Sequence, residues 1–203
     1  MISKRIAFFD FDGTLTKSDS LKHFLFFYFS FGELVSKSLL FMPLFFYFRI
    51  LKKNNAKAKQ ALFRVFFKGY TEQAFNKKCE NFSSRVIPKL IQNEVLQRVH
   101  WHQKKGDEVV IVSASIENYL TPYFTPKGIK VIGTKLEVID GKLSGYFNGK
   151  NCNGQEKKLR IEKNYKLSEY EKSYAYGNSS GDNAMLELVD DGFFRYPKKK
   201  TSK

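Results

Sequence analysis

"IAFFDFDGTLT", residues 6–16, carries an apolar run into two carboxylates one residue apart, Asp10 and Asp12, and then turns at Gly13. An unbroken apolar run with a turn signal behind it reads as a short strand buried on both faces, predicted here over residues 5–11. Side chains alternate along a strand, so Asp10 and Asp12 face the same way if the strand continues through them. Two carboxylates that close repel each other, and a hard cation such as Mg²⁺, which favours oxygen ligands, relieves the repulsion.

Working outward, the pattern from Ser18 to about His102 is helical. In "NNAKAKQALFRVFFKGY", residues 54–70, Ala61, Leu62, Val65 and Phe66 recur at helical spacing. Strand signals return at "GDEVVIVSAS", where Val109 to Val112 form a second buried strand. A helix over "SIENYLTPYF" with Ser115 as N-cap, a strand "GIKVIGT", and a hairpin turning at Asp140 and Gly141 follow. A helix over 155–164, a strand "SYAYG", a helix from Asp182 to about Val189 and a strand "GFFRY" complete the order. Strands alternating with helices on both flanks of an all-helical insert imply an α/β fold with a mostly parallel sheet covered on both faces. The tail "KKKTSK" is expected to be solvated and disordered.

The 203 residues suffice for one well-cored domain with a smaller inserted one, and 42% hydrophobic and 16% aromatic content excludes a disordered chain. The formal charge of +15 calls for an anionic partner: nucleic acid, an acidic membrane surface or a phosphorylated substrate. No basic run is interleaved with aromatics as nucleic-acid motifs require, so no nucleic-acid partner is expected. Cys79 and Cys152 lie in neither a disulfide nor a zinc pattern, which makes a reducing cytosol the default. Lys4 and Arg5 precede an apolar stretch that Asp10 breaks at once, so no signal peptide is read there. Residues 24–48, "FLFFYFSFGELVSKSLLFMPLFFYF", hold more phenylalanine than a core needs, and Glu33, Lys37 and Pro43 interrupt them short of a spanning length. Two readings stand: a soluble helical hairpin, or a helix pair on the membrane interface assisted by Lys22, Arg49, Lys52 and Lys53. His23, His100 and His102 are assigned to the surface or the insert, with no site role.

Reactive groups in open α/β sheets gather outside the carboxyl ends of the strands, and each predicted strand delivers something there. The first brings Asp10 and Asp12, with Gly13 for a tight turn and the Thr14 hydroxyl. The second ends in Ser113, Ala114 and Ser115 at a helix start, where hydroxyl and backbone N–H groups can hold an anion. "GQEKK" offers Lys157 or Lys158, and "YGNSSGDNAML" offers Asn178 and Asp182 as oxygen donors around a small-residue turn. Each is commonplace alone; their order is not.

With these four stretches, "DFDGT", "VVIVSAS", "CNGQEKK" and "YGNSSGDNAML", the chain resembles the haloacid dehalogenase-like superfamily of phosphatases, in its phosphoserine-phosphatase-like branch. The resemblance implies a Rossmann-like doubly wound core, residues 1–17 and 103–203, with a helical cap over 18–102. It implies a Mg²⁺-dependent phosphomonoester hydrolase: Asp10 as nucleophile forming an aspartyl-phosphate, and Asp12 as general acid and then base. Gly13, Thr14, Ser113, Ala114 and Lys157 would bind phosphate, with Lys158 the less favoured register. Asp10, the Asp12 carbonyl, Asn178 and Asp182 would supply the metal site. Asn178 stands where the commonest form of the family has an acid, which leaves the metal ligand open between Asn178 and Asp182. The greasy cap resembles that of bacterial phosphatidylglycerophosphatases, so a lipid headgroup phosphate stands beside a small metabolite such as phosphoserine as expected substrate. The implied location is the cytoplasm, with peripheral contact at the inner face of an anionic membrane in the lipid case. The rival reading is a phosphate- or nucleic-acid-binding protein without turnover, favoured by the charge, the tail and Asn178.

Overall fold

The computed structural model describes residues 4–196; the basic tail lies outside the described residues. In chain order the elements are β1 (Arg5–Phe9), α1 (Ser20–Tyr28), α2 (Phe31–Phe45), α3 (Asn55–Phe67), α4 (Glu72–Arg85), α5 (Ile87–Leu90) and α6 (Asn93–Lys104). Then come β2 (Glu108–Ile116), α7 (Glu117–Phe124), β3 (Lys130–Thr134), β4 (Leu136–Ile139) and β5 (Lys142–Phe147). The last are α8 (Gln155–Asn164), β6 (Lys172–Gly177), α9 (Asn183–Leu186) and β7 (Asp191–Phe194). The main sheet has five strands in the order β3-β2-β1-β6-β7, all parallel, and β4 and β5 form a separate antiparallel hairpin. The α/β class expected from the alternation is thus the observed one.

β1 sits at the centre, with Phe8 opposite Val110 of β2 on one side and Ala175 of β6 on the other. Its alternation sorts two cores. Ile6 and Phe8 pack with Val110, Val112, Ile161 and Met185 on one face, while Ala7 and Phe9 join the larger core shared with the inserted helices. The chain adds β2 and β3 to one side of β1 and then β6 and β7 to the other, so the order reverses beside β1 and the crevice there opens at the strands' carboxyl ends.

Between β1 and β2, helices α1, α3 and α4 close around Phe24, whose ring lies 5.1 Å from Phe82, 5.7 Å from Phe67 and 5.2 Å from Tyr119 of α7. The β4-β5 hairpin clamps α3 from outside: Phe147 meets Phe63 at 5.5 Å. At Gly145 (φ +83°) a Cβ would come within 2.6 Å of the Arg64 Cα, so only glycine permits that approach.

Four local expectations are corrected. β1 stops at Phe9 rather than Phe11, because the backbone leaves the sheet into one wide turn over Phe11–Leu15. β2 runs on to Ile116 with a register shift after Val112, so Ser115 is a strand residue and Ile116 caps α7. The helix expected from Asp182 shrinks to Asn183–Leu186. His102 is no surface residue: it is fully buried, its Nδ1 2.7 Å from Asp107 and its Nε2 2.9 Å from the Tyr176 hydroxyl.

Candidate active site

Asp10 and Asp12 do not share a strand face, because the strand ends before them. The Asp10 N–H still donates to the Tyr176 carbonyl (2.9 Å), but Gly13 then takes φ +79° and the Thr16 N–H closes the turn on the Phe11 carbonyl (2.9 Å). Glycine at 13 answers to that φ, and the Asn178 side-chain amide lies against its open side. The turn separates the carboxylates into different surroundings.

Asp10 Oδ2 accepts from the Thr14 hydroxyl (2.9 Å) and Oδ1 accepts from Lys157 Nζ (2.6 Å). Lys157, in the first turn of α8, also donates to Asp182 Oδ1 at 2.7 Å, whereas Lys158 faces outward toward Glu162 at 3.8 Å. The second Asp182 oxygen accepts from the Asn178 N–H (3.1 Å), the Ser179 N–H (2.9 Å) and the Ser179 hydroxyl (2.9 Å). Both oxygens of Asp182 are therefore occupied by the loop and the lysine, and the Asn178 side chain, against Gly13, is the freer donor.

Burial holds the Asp10 carboxyl above the usual range; Lys157 pulls against that, and the Asp182 charge adds to it. Burial works against the Asp182 carboxylate too, but Lys157 and Ser179 together hold it below the ordinary value. Lys157 loses to burial but gains more from its two carboxylates and stays firmly protonated.

Asp12 has a separate set of partners. Oδ1 accepts from the Ser20 N–H (2.7 Å) at the start of α1, and Oδ2 from the Ser115 hydroxyl (2.5 Å). The Ser20 hydroxyl lies 3.1 Å from that of Ser115 and 3.0 Å from the Tyr119 hydroxyl, so a buried hydroxyl cluster backs the carboxyl. Burial raises its pKa, and the Ser115 and Ser20 bonds only partly offset this. Ser113 is buried, its oxygen accepting from the Ser115 N–H (3.0 Å), which leaves its own O–H to donate. Thr14, grouped with the phosphate binders by resemblance, has its hydroxyl committed to orienting Asp10.

The sequence gives no sign of two participants, Ser20 and Lys59, and gives a third, Ser115, a different role. Ser115 and Ser20 hold Asp12, and Lys59 of α3 reaches from the insert to the Ala114 carbonyl at 2.9 Å, near enough to Asp12 to feel its charge. Burial lowers the pKa of Lys59, and Asp12 restores part of it. Nothing in the sequence distinguishes Lys59 from its surface neighbours; only the docking of α3 does. A cavity of about 580 Å³ opens beside Ala114, lined by Lys57, Lys59 and Gln60 of α3 and by Asn151 and Asn153 of the core.

Asp10 and Asp182 share the Lys157 ammonium, and Lys59 stands on the Asp12 side of the crevice. Among the described residues no three His, Cys, Asp or Glu converge as a metal cage. One carboxylate with neutral oxygens and water suits Mg²⁺, which dehydrates reluctantly and shares its coordination with substrate phosphate. The donors present fit that ion.

A parallel sheet with two carboxylates at the end of its central strand, a buried lysine beside them and helices over the crevice makes an α/β domain with a charged site at the carboxyl ends of its strands. Residues 7–187 match the haloacid dehalogenase-like hydrolase family, and the chain belongs to it. Protein CicA of Caulobacter vibrioides is 32% identical over 193 residues, covering 92% of this chain and 84% of that protein. A histidinol-phosphatase of Neisseria meningitidis is 34% identical over 100 residues, 46% of this chain and 45% of that one. Among solved structures, a Bordetella pertussis protein of unknown function superposes with a TM-score of 0.76 at 23% identity, over 92% of this chain and 87% of that one. A probable phosphoserine phosphatase from Vibrio cholerae gives 0.66 at 14%, over 95% and 55% respectively. At these identities the structures speak for the fold.

Proposed function

We propose that this hydrolase cleaves phosphomonoesters through an aspartyl-phosphate on Asp10. The observation that carries the reading is the division of the two aspartates: Asp10 beside the buried Lys157, Asp12 among hydroxyls with its pKa raised. Asp10 Oδ attacks phosphorus in line, the bond from phosphorus to the ester oxygen breaks, and the Asp12 proton passes to the leaving alkoxide. Water then attacks the same phosphorus, giving its proton to Asp12, and the acyl-phosphate bond breaks to return the Asp10 carboxylate. Thr14 and Lys157 hold Asp10 in place; Lys157, the Ser113 hydroxyl and the Ala114 N–H receive the phosphoryl oxygens. Phosphoryl transfer asks mostly for such positioning and charge neutralisation. Mg²⁺, held by the Asp10 carboxylate, the Asp12 carbonyl and the Asn178 amide, would supply further neutralisation of the phosphoryl charge, and Asp182 serves as the anchor of Lys157 and the loop.

The core is assigned to residues 1–17 and 103–203 and the cap to 18–102, with α6 at the cap's end packed on the sheet through His102, 5.8 Å from Phe9. The substrate is a phosphomonoester of a small molecule or of a lipid headgroup. Lys59 and the polar cavity beside Ala114 would select an anionic or hydrogen-bonding leaving group. Partial likeness to a histidinol-phosphatase is compatible with the first. The test is Mg²⁺-dependent hydrolysis of an aryl phosphate, lost by about three orders of magnitude or more in Asp10→Asn. Turnover surviving that substitution overturns the role of Asp10; phosphate binding without turnover in the unaltered protein, across several divalent metals, establishes the binding-protein reading instead.

A further inference from the structure

The helix begun by α2 continues as a wider turn through Phe46–Leu51, giving one 21-residue rod from Phe31 to Leu51, long and apolar enough by length and composition to cross a membrane. It is apolar on two sides. Leu34, Phe41 and Phe45, with Phe48, are half-buried, and Phe41 meets Phe66 of α3 at 6.4 Å. On the other side Phe31 (80% exposed), Val35, Leu39 (69%), Met42, Phe46 and Ile50 stand in water at spacings of four, four, three, four and four residues. That is a continuous outward stripe along the whole rod. The one lysine within it, Lys37, points inward and donates to the Phe66 carbonyl at 3.2 Å, so it leaves the outer stripe uncharged.

The stripe ends in charge. Arg49, Lys52, Lys53 and Lys57 are exposed, and among the described residues none has a carboxylate within ion-pair distance. These four belong to a chain whose formal charge is +15. An apolar stripe of this size flanked by cations matches an anionic bilayer surface, where the side chains enter the acyl boundary and the lysines meet phosphate headgroups.

Topology decides how the rod can sit. It lies between β1 and β2, which pair in parallel from Ile6↔Glu108 to Phe9↔Ile111. A single crossing between them would put hydrogen-bonded neighbours of one sheet on opposite sides of the bilayer, so the rod must lie in the plane of the interface. Its basic end leads through Asn54 directly into α3, whose Lys57 and Lys59 line the cavity beside Ala114.

We propose that the outer face of residues 31–51 is an in-plane docking surface for an anionic lipid bilayer. It does not depend on the reaction proposed above, because the assay reads binding alone. The full chain is sedimented with vesicles of phosphatidylcholine and of phosphatidylcholine mixed with phosphatidylglycerol, at low and high salt. Binding to the anionic vesicles at low salt is expected, weakened at least about tenfold in Lys52→Glu/Lys53→Glu and again in Leu39→Gln/Phe46→Gln. Aryl phosphate hydrolysis and the far-ultraviolet circular dichroism of both variants should match the unaltered chain, since these side chains are exposed. Binding equal on neutral and anionic vesicles, or absent from both, overturns the proposal. So does a lipid-free dimer in analytical ultracentrifugation that Leu39→Gln/Phe46→Gln dissociates, since a second copy would then cover the face.

Discussion

The crevice at the end of β1 and the outer face of residues 31–51 treat side chains in opposite ways. In the crevice every carboxylate oxygen of Asp10, Asp12 and Asp182 has a named partner, and the one buried side-chain polar atom without a partner among the described residues is Ser83 Oγ, away in α4. On the outer face of the helix, large apolar groups such as Phe31 and Leu39 stand mostly in water. The first region is over-determined, so changing one member leaves another stranded; the second is under-determined, and the fold does not need its residues to be what they are. The same insert contains both habits, since Phe24 on α1 is fully buried among five rings while Phe31, seven residues on, is almost wholly in water.

The largest effect that sharpens this contrast is the loss of turnover in Asp10→Asn, already given. Next is Phe24→Ala, which removes the ring joining α1, α3, α4 and α7; a loss of about 3–5 kcal/mol is expected in urea unfolding. A loss under 1 kcal/mol would mean that the aromatic cluster is loosely packed and the contrast within the insert is false.

A smaller effect belongs to His102. Its neutral ring donates from Nδ1 to Asp107, which also takes Arg5 at 2.8 Å, and accepts at Nε2 from the Tyr176 hydroxyl, itself bonded by Arg98 at 3.0 Å. Burial, opposed by Asp107, lowers its pKa below the ordinary 6.5. The unfolded chain therefore takes up a proton below about pH 6.5 that the folded chain refuses. Stability is full above that pH and falls as pH drops toward the folded value. In His102→Gln the thermal midpoint should be lower at pH 8, by the equivalent of about 1–3 kcal/mol, and flatter between pH 7 and 5. An unchanged slope would assign the acid sensitivity to other groups. Smallest of all is Leu39→Gln, expected within about 0.5 kcal/mol of the unaltered chain; a larger loss would mean that something covers the stripe.

Much of this was readable in the residues because each reactive stretch falls where a strand ends. Asp10, Lys157 and Asn178 mark the end of β1, the start of α8 and the end of β6, Ser113 follows the last regular pair of β2, and turn chemistry at Gly13 and Gly177 punctuates them. What was hidden depends on distant packing. Ser20 and Lys59 reach the crevice only because the insert folds over it, and no local pattern announces that. Ser115 reads as a helix cap in the sequence because the irregularity after Val112, across which β2 continues, has no glycine or proline to signal it. His102 was legible in principle: Val95, Val99 and His102 fall on one face of α6, all buried, and that periodicity places the imidazole inward.

The pairing of β1 with β2 and β6 also sets a schedule for synthesis. Asp10 meets Lys157 only after 147 further positions have been added. At roughly 5–20 residues per second that interval is on the order of 10 s. Until Glu108–Ile116 have been made the central strand has no neighbour to pair with, while residues 31–51 have already left the ribosome with their apolar stripe uncovered. A nascent chain of this protein therefore presents its greasiest surface first and its finished crevice last, so its yield on expression should respond to holdase chaperones more than to anything that stabilises the folded state.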